Sequence, residues 1–150
     1  MADLPELESP INPWLDRLIA LVVLSTGAFF VVVLALVPPD PRGYGTHELL
    51  GMAPCSWPAA GGGLPCPTCG VTTAACHLVH LQPLKAVATH PFGAFLAGAG
   101  IWLMVLAFIS TVRRRSFVEK LARLPYATLL ICAVALLLGS WLYKYLTFST

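Results

Sequence analysis

The sequence predicts an all-α integral membrane protein with three transmembrane helices and one short amphipathic helix, interfacial or re-entrant, after the first of them. The chain of 150 residues is 57% hydrophobic but only 11% charged, whereas an ordinary soluble protein is roughly 25% charged. Three apolar stretches, at about residues 16–37, 92–112 and 124–146, are each long enough to cross a bilayer, which requires about 20 residues in a helix. We therefore expect a single membrane domain, residues 1–150, whose main partner is the lipid bilayer.

The distribution of positive charge predicts the topology. The segment 113–123 carries five Lys and Arg residues, whereas the much longer segment 38–91 carries only Arg42 and Lys85. Because positive residues accumulate on the cytoplasmic side, we expect 113–123 to be a cytoplasmic basic loop and 38–91 to be external. The amino terminus is then cytoplasmic and the carboxyl terminus external. The acidic leading segment lacks the positive start of a signal peptide, so the first span is expected to be a retained anchor.

The external segment contains the stretch LPCPTCGVTTAACH, residues 64–77. Proline is favoured in the first position of a helix, so we expect Cys66 to cap a helix that starts at Pro67 and runs to about Leu81. At helical spacing, Cys69, Thr73, Cys76 and His80 share one side of this helix. The positive end of the helix dipole would then lower the pKa of Cys66.

The same stretch resembles a known family. The elements that carry the resemblance are a cysteine, then Cys-Pro-x-Cys-Gly-x-Thr and a small residue, at Cys55, Cys66, Pro67, Cys69, Gly70, Thr72 and Ala74. They look like the bacterial membrane-protein family catalogued as domain of unknown function 2752. Two positions depart from that pattern: Thr73 replaces the usual Arg, and His90, before Pro91, replaces the usual Asn. The resemblance implies a multi-pass protein of the bacterial inner membrane and supplies no reaction.

Three roles for the cysteine-rich loop remain open. In the first, the motif is structural, with Cys55 and Cys66 paired, and the chain is an accessory or scaffold protein rather than an enzyme. In the second, Cys66 is the attacking thiolate and Cys69 the resolving thiol of a membrane thiol-disulfide protein. In the third, Cys55, Cys66, Cys69 and His47 bind zinc or another thiophilic metal ion. We expect the first role, and no cofactor is predicted outside the third.

Other classes of function find little support. The net charge of +2 is too small to indicate a nucleic-acid partner. No ionisable residue lies in the middle of a span, which argues against an ion channel or proton relay. Small residues between Gly93 and Gly100 allow close helix packing, so a homo-oligomer or a membrane-complex partner is expected to use that face.

Overall fold

The structure, a computed structural model, describes residues 12–56 and 66–148, with side chains as far as residue 146. The described part is helical and contains no strand. Three long helices, α1 (Pro13–Leu36), α5 (Pro91–Val112) and α7 (Tyr126–Phe148), are long and apolar enough to cross a membrane. Most of their large apolar side chains are exposed, as expected for helices surrounded by lipid. The predicted fold class is confirmed.

Four shorter helices complete the described part: α2 (Thr46–Leu49), α3 (Val71–Val79), α4 (Pro83–Thr89) and α6 (Phe117–Ala122). Proline explains three of the helix starts, because Pro13, Pro83 and Pro91 occupy first positions where an N–H would be unpaired. Leu81, with φ of 58°, separates α3 from α4. The short helix expected to run to about Leu81 thus corresponds to α3, and α4 is a further helix that lies beyond the predicted end.

The start predicted for this helix is wrong. Residues 67–70 form a turn, and α3 begins only at Val71, with Gly70 as its cap residue. The physical reason is Gly70, whose φ of 97° is incompatible with a continuous right-handed helix from Pro67.

Helix α5 lies at the centre of the bundle. It packs against α1 on one side and α7 on another, whereas α1 and α7 do not contact each other within the described residues. Gly27 allows α1 to pack closely against α5, since a Cβ at this position would lie 2.5 Å from Cγ of Met104 in α5. Gly93 has a similar role towards α3, because its Cβ would lie 2.8 Å from Cα of Val71. Part of the small-residue face of α5 is thus used inside the chain, and Gly98 and Gly100 have nothing within 4 Å of a Cβ.

Polar contacts at the two ends of the bundle show that successive spans run in opposite directions. At one end, the carboxylate of Asp16 in α1 accepts hydrogen bonds from Ser116 and from the backbone of α6. At the other end, the N–H of Phe92 donates to Oγ of Ser140 at 2.9 Å. We call the first the basic end, because it holds residues 113–123, and the second the cysteine end, because it holds residues 38–91. The side of the membrane on which each end lies stays a prediction.

Candidate thiol centre

Three cysteine sulfurs converge at the cysteine end. The Sγ atoms of Cys55, Cys66 and Cys69 all lie within 4.8 Å of one another, and each residue is half-buried. All five cysteines lie in the described part of the chain, and all five have free thiols. Cys76 is buried in α3 and Cys132 is exposed on α7, so neither belongs to this group. We call Cys55, Cys66 and Cys69 the tri-cysteine cluster.

A tight turn brings Cys66 and Cys69 together. The N–H of Cys69 donates to the carbonyl of Cys66 at 3.1 Å, and the N–H of Val71 donates to the carbonyl of Thr68 at 3.1 Å. The predicted role of Cys66 as a helix cap is therefore wrong, because the helix begins five residues later. Its sulfur is instead stabilised by a local contact, 3.2 Å from Oγ1 of Thr68.

The two cysteines of the turn differ in acidity. Burial opposes ionisation of Cys66, but hydrogen bonds from the side chain and backbone of Thr68 and from the other two cysteines outweigh it, so the pKa of Cys66 is lowered. Burial raises the pKa of Cys69 to about 12, with further contributions from its hydrogen bond to Cys55 and from the charge on Cys66. Of these two thiols, Cys66 is therefore the first to form a thiolate, and Cys69 stays protonated near neutral pH.

His90 connects this turn to the start of α5. Its Nδ1 accepts a hydrogen bond from the N–H of Gly93 at 3.2 Å, and its Nε2 lies 3.1 Å from the carbonyl of Pro67. Because a carbonyl only accepts, the ring must be the neutral tautomer with its proton on Nε2. Burial lowers the pKa of His90, which favours this neutral state. The predicted position of His90 before a helix that starts with Pro91 therefore serves two functions, since it caps α5 and holds the cysteine turn.

The sequence did not predict that Lys144 contacts the cysteine turn. Lys144 lies in the last turns of α7 and is only 8% exposed. Its Nζ donates to the carbonyl of Cys69 and, at 3.4 Å, to the carbonyl of Gly43. The sequence showed a lone lysine close to the end of an apolar span, but a lysine at such a position usually extends to the membrane interface, so it gave no specific signal of this contact.

The polar side of α3 is packed against the protein. Oγ1 of Thr46 donates to Oγ1 of Thr73 at 2.9 Å, and Cys76 donates to the carbonyl of Val37 at 3.1 Å. Nε2 of His80 donates to the same Val37 carbonyl at 3.1 Å. These two donors satisfy the carbonyl of Val37, which has no intrahelical partner because it lies at the end of α1. They also fix the position of α3, so that the turn before it faces Cys55.

His47 does not join the cluster. It lies in α2 and is partly exposed, and the group of potential metal ligands found among the described residues consists of the three cysteines alone. The structure thus brings together three of the four residues of the predicted metal site.

Comparison with known proteins was informative for one segment. Neither the curated proteins nor the solved structures gave a match to the chain. A family model matches residues 59–104, which include Cys66, Cys69, His90 and most of α5 but leave Cys55 outside. That family is described as a protein of unknown function (DUF2752), so the resemblance carried by the Cys-Pro-x-Cys-Gly motif is confirmed over this segment.

Proposed function

We propose that the chain is a membrane accessory or scaffold protein whose tri-cysteine cluster binds one thiophilic metal ion, zinc or a similar soft cation. The observation that carries the proposal is the convergence of three sulfurs within 4.8 Å. A zinc-sulfur bond is about 2.3 Å, so sulfurs around a tetrahedral ion lie about 3.8 Å apart. A contraction of about 1 Å or less would therefore convert the cluster into a first coordination sphere.

The pKa shifts of Cys66 and Cys69 indicate the order in which the two sulfurs would bind a metal ion. Cys66 has a lowered pKa and offers a thiolate first. Because the pKa of Cys69 is about 12, this thiol is protonated near neutral pH, and a cation that binds there must displace the proton. Metal binding should therefore release protons and weaken as the pH falls.

Three protein ligands leave a fourth position. Among the described residues no further Cys, His, Asp or Glu completes the group, so water or a ligand from outside the chain would occupy that position. Three thiolates around a divalent ion carry a net negative charge, and Lys144, which donates to the carbonyl of Cys69, places an ammonium beside them.

The consequence of binding would be structural. The ion would join the segment that contains Cys55 to the turn that begins at Cys66, and a bound metal contributes its binding energy to folding. We propose that this end faces outward from the inner membrane, because the basic residues lie at the opposite end.

The test is metal content together with thiol state. Protein purified in detergent without added chelator is expected to carry about one metal ion per chain, measured by elemental mass spectrometry. Cys55→Ser, Cys66→Ser and Cys69→Ser should each lower that content at least tenfold. Cys132→Ser is the matched control, because Cys132 is exposed on α7, and it should leave the content unchanged. Reduced thiols without stoichiometric zinc, copper or iron would refute a metal site.

A second candidate function is thiol-disulfide exchange, and the opposed pKa shifts of Cys66 and Cys69 favour it. The Cys66 thiolate would attack a partner disulfide, forming a mixed disulfide and releasing one partner thiolate. Cys69 would then attack the Cys66 sulfur of the mixed disulfide, expel the second partner sulfur and transfer its proton to it, so that Cys66 and Cys69 are oxidised to a disulfide and the partner is reduced by two electrons. Cys69→Ser should then trap a mixed disulfide with glutathione disulfide, visible by intact mass. A metal-bound protein should form this adduct only after chelation.

A further inference from the structure

A separate cleft opens at the basic end, between the first turns of α1 and the loop that follows α5. Its volume is about 160 Å³, and its lining includes three arginines, Arg17, Arg114 and Arg115, together with one acidic residue, Asp16. Neither proposal for the cysteines uses this cleft, which lies at the opposite end of the spans.

The single acidic residue does not neutralise the arginines. Asp16 is only 7% exposed, and its carboxylate accepts hydrogen bonds from Oγ of Ser116 at 2.9 Å and from the N–H groups of Phe117 and Val118 at 3.0 and 2.9 Å. Within the described residues, the ion pairs involve Arg42 and Arg123 only. The three guanidinium groups of the cleft therefore carry an excess of positive charge.

The backbone of the loop is also unusual. Arg114 has a φ of 53°, a left-handed conformation that glycine adopts readily and that another residue adopts at a cost of about 1 to 2 kcal/mol. The N–H of Arg115 donates to the carbonyl of Ser110 at 3.0 Å, which closes the turn beside the cleft. An arginine thus stands where a glycine would fit the backbone better.

The position of the cleft indicates the kind of ligand. Helix α1 begins at Pro13 and α5 ends at Val112, so the lining residues lie where the spans leave the hydrocarbon layer and lipid phosphates begin. Guanidinium groups bind phosphate through paired hydrogen bonds, and basic pockets between transmembrane helices suit lipid head groups. We propose that this cleft binds the phosphate of an anionic phospholipid.

Charge also separates anionic from zwitterionic lipids. The ammonium of a choline or ethanolamine head group would meet guanidinium groups, and the carboxylate of Asp16 is already satisfied by three donors. A lipid whose head group carries a net negative charge makes the phosphate contacts without that repulsion.

The test compares phosphatidylglycerol with phosphatidylcholine. The full chain is reconstituted in nanodiscs that contain both lipids, released into mild detergent, and examined by native mass spectrometry for retained lipid. We expect at least a fivefold preference for phosphatidylglycerol. The double variant Arg17→Gln with Arg115→Gln should reduce the preference to less than twofold. Arg113→Gln is the matched control, because Arg113 belongs to the same loop and does not line the cleft, and it should keep the full preference.

Two further arms keep the proposal falsifiable if the double variant fails to fold. Arg114→Gly removes one guanidinium group, and glycine readily adopts the φ observed at this position. This variant should therefore fold normally and lower the preference for phosphatidylglycerol at least twofold. Inorganic phosphate at about 10 mM should not displace the lipid, whereas displacement would make free phosphate the ligand and overturn the proposal.

Two other results would also overturn the proposal. One is an equal loss in Arg113→Gln, which would indicate diffuse surface charge, and another is the absence of any preference in the wild type.

Discussion

Replacing Gly70 with alanine is expected to disrupt the cysteine turn. Gly70 has a φ of 97°, a region that L-residues enter at a cost of about 1 to 2 kcal/mol. An added Cβ would lie 2.5 Å from Nζ of Lys144 and 2.6 Å from the carbonyl oxygen of Gly43. The lysine ammonium is the end of a flexible side chain and can move, but the Gly43 carbonyl belongs to the backbone and cannot move alone.

The two effects add to a substantial loss of stability. Overpacking a close contact typically costs about 1 to 3 kcal/mol, so Gly70→Ala should lower the free energy of unfolding by about 2 to 5 kcal/mol. Any displacement of the turn also moves the carbonyl of Cys69 away from Lys144 and shifts Cys69 relative to Cys55. We therefore expect metal affinity to fall at least tenfold, which corresponds to about 1.4 kcal/mol.

The assay combines thermal unfolding in detergent with titration of the metal against a chelating dye. Gly98→Ala is the matched control, because a Cβ at Gly98 meets nothing within 4 Å, and alanine in a helix interior stabilises by about 0.5 to 1 kcal/mol relative to glycine. If Gly70→Ala lost less than about 0.5 kcal/mol and kept its metal, then Gly70 would not be required for the close approach of the loop, the turn and α7.

Three further perturbations have definite expected outcomes. Replacing His90 with alanine removes the cap of α5 and should cost about 1 kcal/mol, whereas His90→Asn should retain most of the capping. Because burial lowers the pKa of His90, its neutral ring contributes fully above pH of about 6.5 and the contribution is lost as the pH falls through the folded-state pKa. The melting temperature of the wild type should therefore fall more steeply than that of His90→Asn between pH 7 and 5, and parallel curves would contradict the role of the ring. Asp16→Ala leaves the N–H groups of Phe117 and Val118 without their acceptor and should lower the unfolding free energy by about 1 to 3 kcal/mol in a denaturant titration, while an unchanged midpoint would contradict the contact. Lys144→Met should weaken metal binding about tenfold in the dye titration, with helix content by circular dichroism unchanged, and an unaltered affinity would remove Lys144 from the site.

The sequence predicted the spans well because the physical signal is strong. A bilayer requires about 20 apolar residues per helix, and the bounds of α1, α5 and α7 agree with the predicted spans within about three residues at each end. The start of α3 was wrong because Pro67 is equally suitable for a turn and for a first helical position. Gly70 decides between them, and glycine by itself does not reveal that its φ will be positive.

The candidate site was only partly predictable for a related reason. The pair Cys66 and Cys69 is visible as a motif, and Cys55 followed from the family resemblance. The contribution of Lys144 depends on α7 ending beside the cysteine turn, 75 residues further along the chain, and no local pattern reports such a contact. His47 was a reasonable ligand by residue type, but its place in α2 keeps it out of the cluster.

The polar contacts at the ends explain how a thin bundle holds a precise site. Between helices in lipid there is no hydrophobic driving force, so close packing and hydrogen bonds determine their arrangement. At the cysteine end the turn is held by His90 from the start of α5, by Lys144 from α7, and through α3 by the carbonyl of Val37 at the end of α1. Each of the three spans therefore contributes a contact to the same small region. A change in the relative position of any span would alter the separation of the sulfurs, so the geometry of the tri-cysteine cluster depends on the assembled bundle rather than on the loop alone.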